Sequence, residues 1–141
     1  MFETFDHTAD LGLRIRAADL STLFAEAAEA LVSVIVENPE ELQCARKRDL
    51  SLQAPNLEYL LFDWLNEWLY RFEQEHWLGR RFTAAVSSAA GLWSLTGAAA
   101  GQTVDPRRHR LDHEVKAITY HGLKVQQEPD GAWLAEIIVD I

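Results

Sequence analysis

The strongest constraint on the fold is one long amphipathic segment that follows Pro55-Asn56. Its large apolar side chains recur at steps of three and four residues, the spacing that places them on one face of a helix. These residues are Leu57, Leu60, Leu61, Trp64, Leu65, Trp68 and Phe72. The segment predicts a helix with one broad buried face, and Gly79 is the natural place for it to stop.

A second apolar stripe predicts another helix nearer the N-terminus. It comprises Leu20, Leu23, Phe24, Ala27, Leu31, Val34 and Ile35. Asp19 or Ser21 can cap its start, because either side chain can accept a hydrogen bond from a first-turn amide. Asn38-Pro39 is predicted to end it, because the residue before a proline disfavours helical geometry.

The rest of the chain carries strand patterns. Apolar and polar residues alternate over 11–17 and 46–54, as in strands with one wet face. Further strands are predicted over 2–5, 82–88, 92–96, 115–120, 123–127 and 133–141. Ala89-Ala90-Gly91 and His121-Gly122 are predicted hairpin turns, and the last strand is predicted to be central because it is apolar on both faces.

Two amphipathic helices on a mostly antiparallel system of about seven or eight strands make an α+β fold. At 141 residues, the chain is predicted to form a single domain over 1–141.

Composition argues against several functions. Thirteen basic and 22 acidic residues give a net charge of −9, which repels phosphate backbones and disfavours nucleic-acid binding as the main activity. No apolar stretch reaches the roughly 18 residues that a membrane span needs. Met1-Phe2-Glu3-Thr4 carries no basic leader, so no secretory signal is expected. The single Cys44 cannot form an internal disulfide, so a reducing, cytoplasmic setting is expected.

Familiar catalytic motifs are absent from the sequence, which has no dinucleotide-binding glycine motif, P-loop, nucleophile elbow, zinc-protease helix or EF-hand loop. Cys44 with Arg46 nearby is a weak candidate nucleophile. His109 and His113 have a spacing that would suit zinc on a helix. They lie in an arginine-rich loop without a third obvious ligand, so ordinary solvated histidines are the favoured interpretation.

Three segments place polar side chains where they are less expected. Asp6-His7-Thr8-Ala9-Asp10 sets two acids and a histidine between two predicted strands, although a capped turn also explains it. Residues 114–122 place Lys116 near the start of an apolar strand, where a gatekeeper at a sheet edge is the ordinary interpretation. Val139-Asp140-Ile141 closes a strand too apolar to leave in water, so its acid is predicted to be docked with the sheet.

Together these segments resemble the archease family. The motifs that carry the resemblance are DHTAD at 6–10, Asp63-Trp64-Leu65-Asn66-Glu67, Asp105-Pro106-x-x-His109, Val115-Lys116-Ala117-Ile118-Thr119-Tyr120-His121-Gly122 and Val139-Asp140-Ile141. They occur in the family's order and span the chain from residue 5 to its last residue. The resemblance implies an archease-like fold and an accessory protein that is not a stand-alone enzyme.

Archeases assist the GTP-dependent RNA-splicing ligase, which joins a 2′,3′-cyclic phosphate or 3′-phosphate end to a 5′-hydroxyl end in tRNA splicing and RNA repair. The resemblance implies that this chain promotes guanylylation of the ligase, supports its multiple turnover and broadens its nucleotide use. It also implies that RNA is contacted only indirectly, through the ligase, and that no membrane is involved.

The resemblance further implies a metal site, calcium in known members, formed by Asp10, Asp140 and Ile141. The residue chemistry agrees, because the two acids are hard oxygen donors and Ile141 can offer only a backbone oxygen or a terminal carboxylate. Such a set suits Ca²⁺, Mg²⁺ or Mn²⁺ and disfavours zinc. The acids would also repel one another unless a cation lies between them.

Four further residues are candidates for supporting roles. Asp6 and His7 can orient the metal-binding acids. Lys116 and His121 are candidates for contact with the partner, and the lysine can bind a phosphate or a partner's acid.

Two other classes of function remain open. A chaperone-like binding module would use the acidic face and the tryptophans, and it predicts client binding without a metal. A metal-dependent phosphoesterase would use the same carboxylates, but the chain lacks a second cluster of acids or histidines for a two-metal site.

Overall fold

The computed structural model describes residues 1–7 and 10–141, and only the backbone of Asp6 and His7. Within these ranges the chain forms two α-helices and seven strands, which confirms the α+β prediction. The helices are α1, Leu20–Ile35, and α2, Leu57–Glu75. The strands are β1 (Phe2–His7), β2 (Asp10–Ala17), β3 (Arg46–Ala54), β4 (Trp77–Ala89), β5 (Leu92–Thr103), β6 (Ala117–Gln127) and β7 (Trp133–Asp140). None of the described helices is both long and apolar enough to cross a membrane.

The strands form two antiparallel sheets. The larger has the order β1-β2-β7-β6 and the smaller the order β3-β5-β4. β7 lies between β2 and β6, so the prediction of a central last strand is confirmed. Its alternate residues Ala135, Ile137 and Val139 are fully buried, and they anchor this strand in the core.

One hydrophobic cluster joins both helices to both sheets. Near its centre, Trp64 of α2 is fully buried, and its indole nitrogen donates a hydrogen bond of 2.9 Å to the carbonyl oxygen of Phe24 in α1. Gly97 of β5 makes room for this ring, because a Cβ there would lie 2.7 Å from it. The bulk of the tryptophan is thus accommodated by a residue without a side chain.

Both helices begin at capping residues, and the cap of α1 is Asp19, one of the two candidates predicted from the sequence. The Asp19 carboxylate accepts a hydrogen bond of 2.8 Å from the amide of Thr22. The Asn56 side chain accepts one of the same length from the amide of Tyr59. Each cap satisfies an amide that the first helical turn leaves unpaired.

The prediction that α2 stops at Gly79 is wrong. The helix ends at Glu75, and His76 takes the left-handed conformation at φ 54°. Gly79 lies in β4 instead, beside a shift in the register with β5. A Cβ at this position would lie 2.5 Å from the ring of Phe82, so the glycine is required by close packing and not by a helix end.

The prediction of two strands joined by a turn at His121-Gly122 is also wrong. β6 runs without reversal from Ala117–Gln127, and its register with β7 shifts between Thr119 and Lys124. Residues 120–123 therefore form a wide bulge, in which Gly122 has φ +78°. A glycine at positive φ occurs in some bulges as well as in tight turns, so Gly122 alone did not distinguish the two.

Candidate functional site

The pairing of β2 with β7 places Asp10 directly opposite Asp140, although the two residues lie near opposite ends of the chain. Directly opposed residues of an antiparallel pair point to the same face, with Cβ atoms about 4.5–5.5 Å apart. The two carboxylates are therefore within reach of a common cation. Ile141 follows Asp140 at the end of the strand.

An open depression of about 540 Å³ lies at this end of the sheet. Asp10 and Ile141 form one side of it, and the segment that leads into β6 forms the other. The residues of that segment that line the depression are Asp112, His113, Glu114 and Lys116. Two of the three predicted metal-site residues, Asp10 and Ile141, thus border this depression.

Backbone hydrogen bonds hold the segment 112–116 in place. The amide of Asp112 donates to the carbonyl of Ile35 at 2.8 Å, and the amide of Lys116 donates to the carbonyl of Asp140 at 2.8 Å. The segment is therefore hydrogen-bonded both to the C-terminal end of α1 and to β7, and these bonds fix its position beside the depression.

Asp112 and Glu114 were not among the residues predicted for the site. No sequence signal pointed to them, because the pairing of Ala117 in β6 with Asp140 in β7 is a long-range contact. The two acids precede β6 by a few residues, and the first residue of β6 pairs with Asp140, so they lie at the same end of the sheet as Asp140.

The donors predicted for this site are oxygen atoms, the ligands that Ca²⁺ prefers. They are the carboxylates of Asp10 and Asp140 and an oxygen of Ile141. Among the side chains that the structure describes, those of residues 1–5 and 10–141, no three of His, Cys, Asp or Glu lie close enough together to hold a metal. The set fits a hard cation in its chemistry, and it leaves coordination positions to be filled by water or by a partner.

β1 extends further into the DHTAD segment than the strand predicted over residues 2–5. β1 continues to His7, which pairs with Asp10 in the register of β1 and β2. The side chains of Asp6 and His7 lie outside the described part of the chain, as do Thr8 and Ala9. A role for Asp6 and His7 in orienting the acids therefore stays a prediction.

The two candidates for partner contact lie in different places. Lys116 lines the depression together with Asp10 and is exposed. His121 is exposed in the bulge of β6 and is not part of the lining of the depression.

His109 is buried, with only 3% of its surface exposed, so the expectation of a solvated histidine is wrong. Its Nδ1 accepts a hydrogen bond of 2.9 Å from the amide of Asp105, and its Nε2 lies 3.2 Å from the carbonyl oxygen of Glu41. The ring therefore connects the 105–109 loop to the 3₁₀ turn Pro39–Glu41. His113 is exposed, and no shared zinc site is formed.

A row of ion pairs crosses the sheet on the same face as Asp10 and Asp140. The Arg14 guanidinium lies 3.0 Å from one oxygen of Glu136, and the Lys124 ammonium lies 3.1 Å from the other. Burial alone would raise the pKa of Glu136, but the hydrogen bonds from Lys124 and Arg14 outweigh it and lower the pKa. These three charged side chains neutralise one another across β2, β7 and β6.

Two helices on two antiparallel sheets, with paired carboxylates at one sheet end, define an α+β protein with a candidate oxygen-ligand cation site. The chain belongs to the Archease protein family (MTH1598/TM1083), whose model matches residues 2–141.

Curated relatives called "Protein archease" match along nearly the whole chain. The protein from Pyrococcus furiosus is 36% identical over 140 residues, with 99% of this chain and 98% of the relative covered. The protein from Methanopyrus kandleri is 37% identical over 144 residues, with 99% of each covered.

Solved structures agree on the fold. The solution structure of protein 1598 from Methanobacterium thermoautotrophicum superposes with a TM-score of 0.87 at 31% identity, covering 99% of this chain and 98% of that one. The crystal structure of an archease from Thermotoga maritima, described as a possible chaperone, has a TM-score of 0.64 at 19% identity, covering 100% of this chain and 98% of that one. The second likeness concerns the fold alone.

Proposed function

We propose that this chain is an accessory factor that activates a GTP-dependent RNA-splicing ligase through a divalent metal, most simply Ca²⁺, held by Asp10, Asp140 and Ile141. The observation that carries the proposal is the direct opposition of Asp10 and Asp140 on β2 and β7, in a chain of the archease family. It acts on RNA indirectly, through the ligase.

Each residue at the sheet end has a distinct task in this proposal. Asp10 and Asp140 hold the cation from two paired strands, so little ordering is needed when it binds. When bound, the metal supplies positive charge that offsets the phosphates of the ligase's nucleotide. Lys116, on the rim of the same depression, contacts a phosphate or an acid of the ligase.

The net charge of −9 supports docking on a basic partner. A ligase that binds RNA presents a positively charged channel, and opposite charges steer the two proteins together. The same charge disfavours direct capture of RNA by this chain.

A turnover count tests the proposal. The ligase from the same organism is mixed with RNA ends, GTP and Mn²⁺, and this protein is added in substoichiometric amounts. We expect product per ligase to rise from a single turnover to many. Asp10→Asn should abolish the gain, because it removes a charged ligand and leaves the strand backbone unchanged.

Asp49→Asn is the matched control, since it makes the same change on β3 at a side chain that is 81% exposed. It should stimulate like the wild type. A folded Asp10→Asn variant that stimulates fully would refute the metal role. If the folded wild-type protein leaves turnover unchanged, the ligase role fails and binding of unfolded clients becomes the leading function. Phosphodiester hydrolysis in Mg²⁺ or Mn²⁺ by this protein alone would instead favour the phosphoesterase.

A further inference from the structure

One face of α2 carries aromatic side chains that the core leaves uncovered. Tyr59, Asp63, Asn66 and Tyr70 follow one another at steps of four, three and four residues, so they form a straight stripe along the helix. Tyr59 is 43% and Tyr70 57% exposed. These four residues are called the α2 stripe below.

The bulge of β6 adds a third exposed tyrosine to the α2 stripe. Tyr120 is 40% exposed, and its ring stacks on that of Tyr59 with 4.7 Å between centroids and 22° between planes. Phe62 meets it edge-on at 5.6 Å. The departure of β6 from regular pairing therefore brings an aromatic surface onto α2, and bulges often serve to redirect side chains in this way.

Asp63 is the acid of the α2 stripe, and contacts within the protein do not explain the presence of its carboxylate. Burial raises the pKa of Asp63, and no nearby cation opposes that effect. In the described part of the chain, no hydrogen-bond donor or cation contacts its carboxylate. A half-buried carboxylate without a protein partner is available for a charged hydrogen bond from another molecule.

The charge of α2 defines what kind of molecule fits. The helix contains five acidic residues and one arginine, and that Arg71 lies 3.5 Å from Glu75. RNA phosphates and anionic lipids would be repelled from such a face. Exposed tyrosine rings beside an unpaired carboxylate suit a guanidinium group, which stacks on aromatic faces and forms charged hydrogen bonds to an acid.

We propose that the α2 stripe is a docking site for an arginine-bearing segment of a protein partner, with the guanidinium bound to Asp63 and stacked on the tyrosines. The inference deepens the proposed function and rests on it only for the identity of the partner, the RNA ligase. β6 begins at Ala117, opposite Asp140, roughly 10 Å along the strand from Tyr120. A partner on the stripe therefore lies close to the paired carboxylates.

Calorimetric titration of the ligase from the same organism tests the site. Asp63→Asn and Tyr70→Ala should each weaken binding about tenfold, and added salt should weaken the wild type more than Asp63→Asn. Asp49→Asn should bind like the wild type. Thermal unfolding separates docking from structure, because loss of a desolvated charge should leave the Tm of Asp63→Asn unchanged or raised, whereas a structural role would lower it.

The outcomes for the two proposals are distinct. Wild-type affinity in both stripe variants would overturn the docking site and leave ligase activation intact. If the wild type does not bind the ligase, the proposed function fails, and the stripe is tested by an NMR titration of the isotope-labelled protein with the peptide acetyl-Arg-Gly-Arg-amide. Shifts concentrated at Tyr59, Asp63 and Tyr120 would support the docking site. Absence of such shifts, or equal shifts with a single-stranded RNA, would overturn it.

Discussion

Glu136 is the residue that connects most of the larger sheet through charge. On β7 it binds Arg14 of β2 and Lys124 of β6, at 3.0 and 3.1 Å. Arg14 in turn lies 3.1 Å from Glu3 of β1. Charges of alternating sign thus cross all four strands of the sheet, where a single surface pair would contribute little.

The pairing of Glu136 predicts a pH-dependent loss of stability. Its pKa is lowered in the folded state because Lys124 and Arg14 outweigh the effect of burial. A carboxyl of this kind contributes stability above its unfolded pKa of about 4.3, and the contribution is lost as the pH falls through the lower folded value. Glu136→Gln should therefore lower the free energy of unfolding by about 0.5–1 kcal/mol at neutral pH. Urea denaturation near pH 7 and near pH 3 measures both proteins, and an equal difference at both pH values would contradict the role of charge.

At the scale of elements, the turn between β4 and β5 places an alanine, Ala90, in a left-handed conformation that this residue type disfavours. Ala90 and Gly91 have φ values of 52° and 79°, and positive φ at both central residues is the geometry of a type I′ turn. Alanine is strained in this region, whereas asparagine tolerates it.

Ala90→Asn should stabilise the protein by about 0.5–1 kcal/mol, because Asn-Gly is the preferred pair for this turn. The neighbouring Ala89→Asn is the control, since that residue belongs to β4 and has no positive φ to relieve. Urea denaturation of both variants compares them with the wild type. An equal change in the two variants would mean that the turn geometry is not responsible.

The sequence predicted elements well where the signal is local. The strand at residues 46–54 has its predicted bounds, and Asp19, one of the two caps predicted for α1, does cap that helix. The predictions of a helix end at Gly79 and of a turn at Gly122 were wrong. A glycine indicates either close packing or a positive φ, but it does not indicate which kind of element requires it. Only the neighbouring strands, β5 and β7, decide that question.

At the candidate site, too, local features were predictable from the sequence and long-range contacts were not. No local pattern reports that Asp10 meets Asp140, since the pairing of β2 with β7 is a long-range contact, and the family resemblance supplied the expectation. The sequence did not predict that Asp112 and Glu114 lie at the site, because their position depends on backbone hydrogen bonds from their segment to the end of α1 and to β7. Such bonds leave no trace in residue type.

At the scale of the whole molecule, the paired carboxylates and the core share the same two strands. Leu13 of β2 and Val139 of β7 are fully buried, and both belong to the cluster that joins the helices and the sheets. Asp10 and Asp140 sit at the ends of those strands. An ion held between them, as proposed, would bind a structure that exists only when the entire core is folded, so its binding would stabilise the whole molecule.

Addition of Ca²⁺ should accordingly raise the temperature of one cooperative unfolding transition. Binding to the folded state alone stabilises by about 2.7 kcal/mol when the free ion is at roughly 100 times its Kd. Asp140→Asn should lose most of this shift, while Asp49→Asn keeps it, because only the first change removes a proposed ligand. Scanning calorimetry in chelator and in Ca²⁺ gives the measurement. Equal shifts in both variants would show that the ion merely screens the net charge of −9, and two separate transitions would contradict the single-domain prediction, because a shared core must melt as one unit.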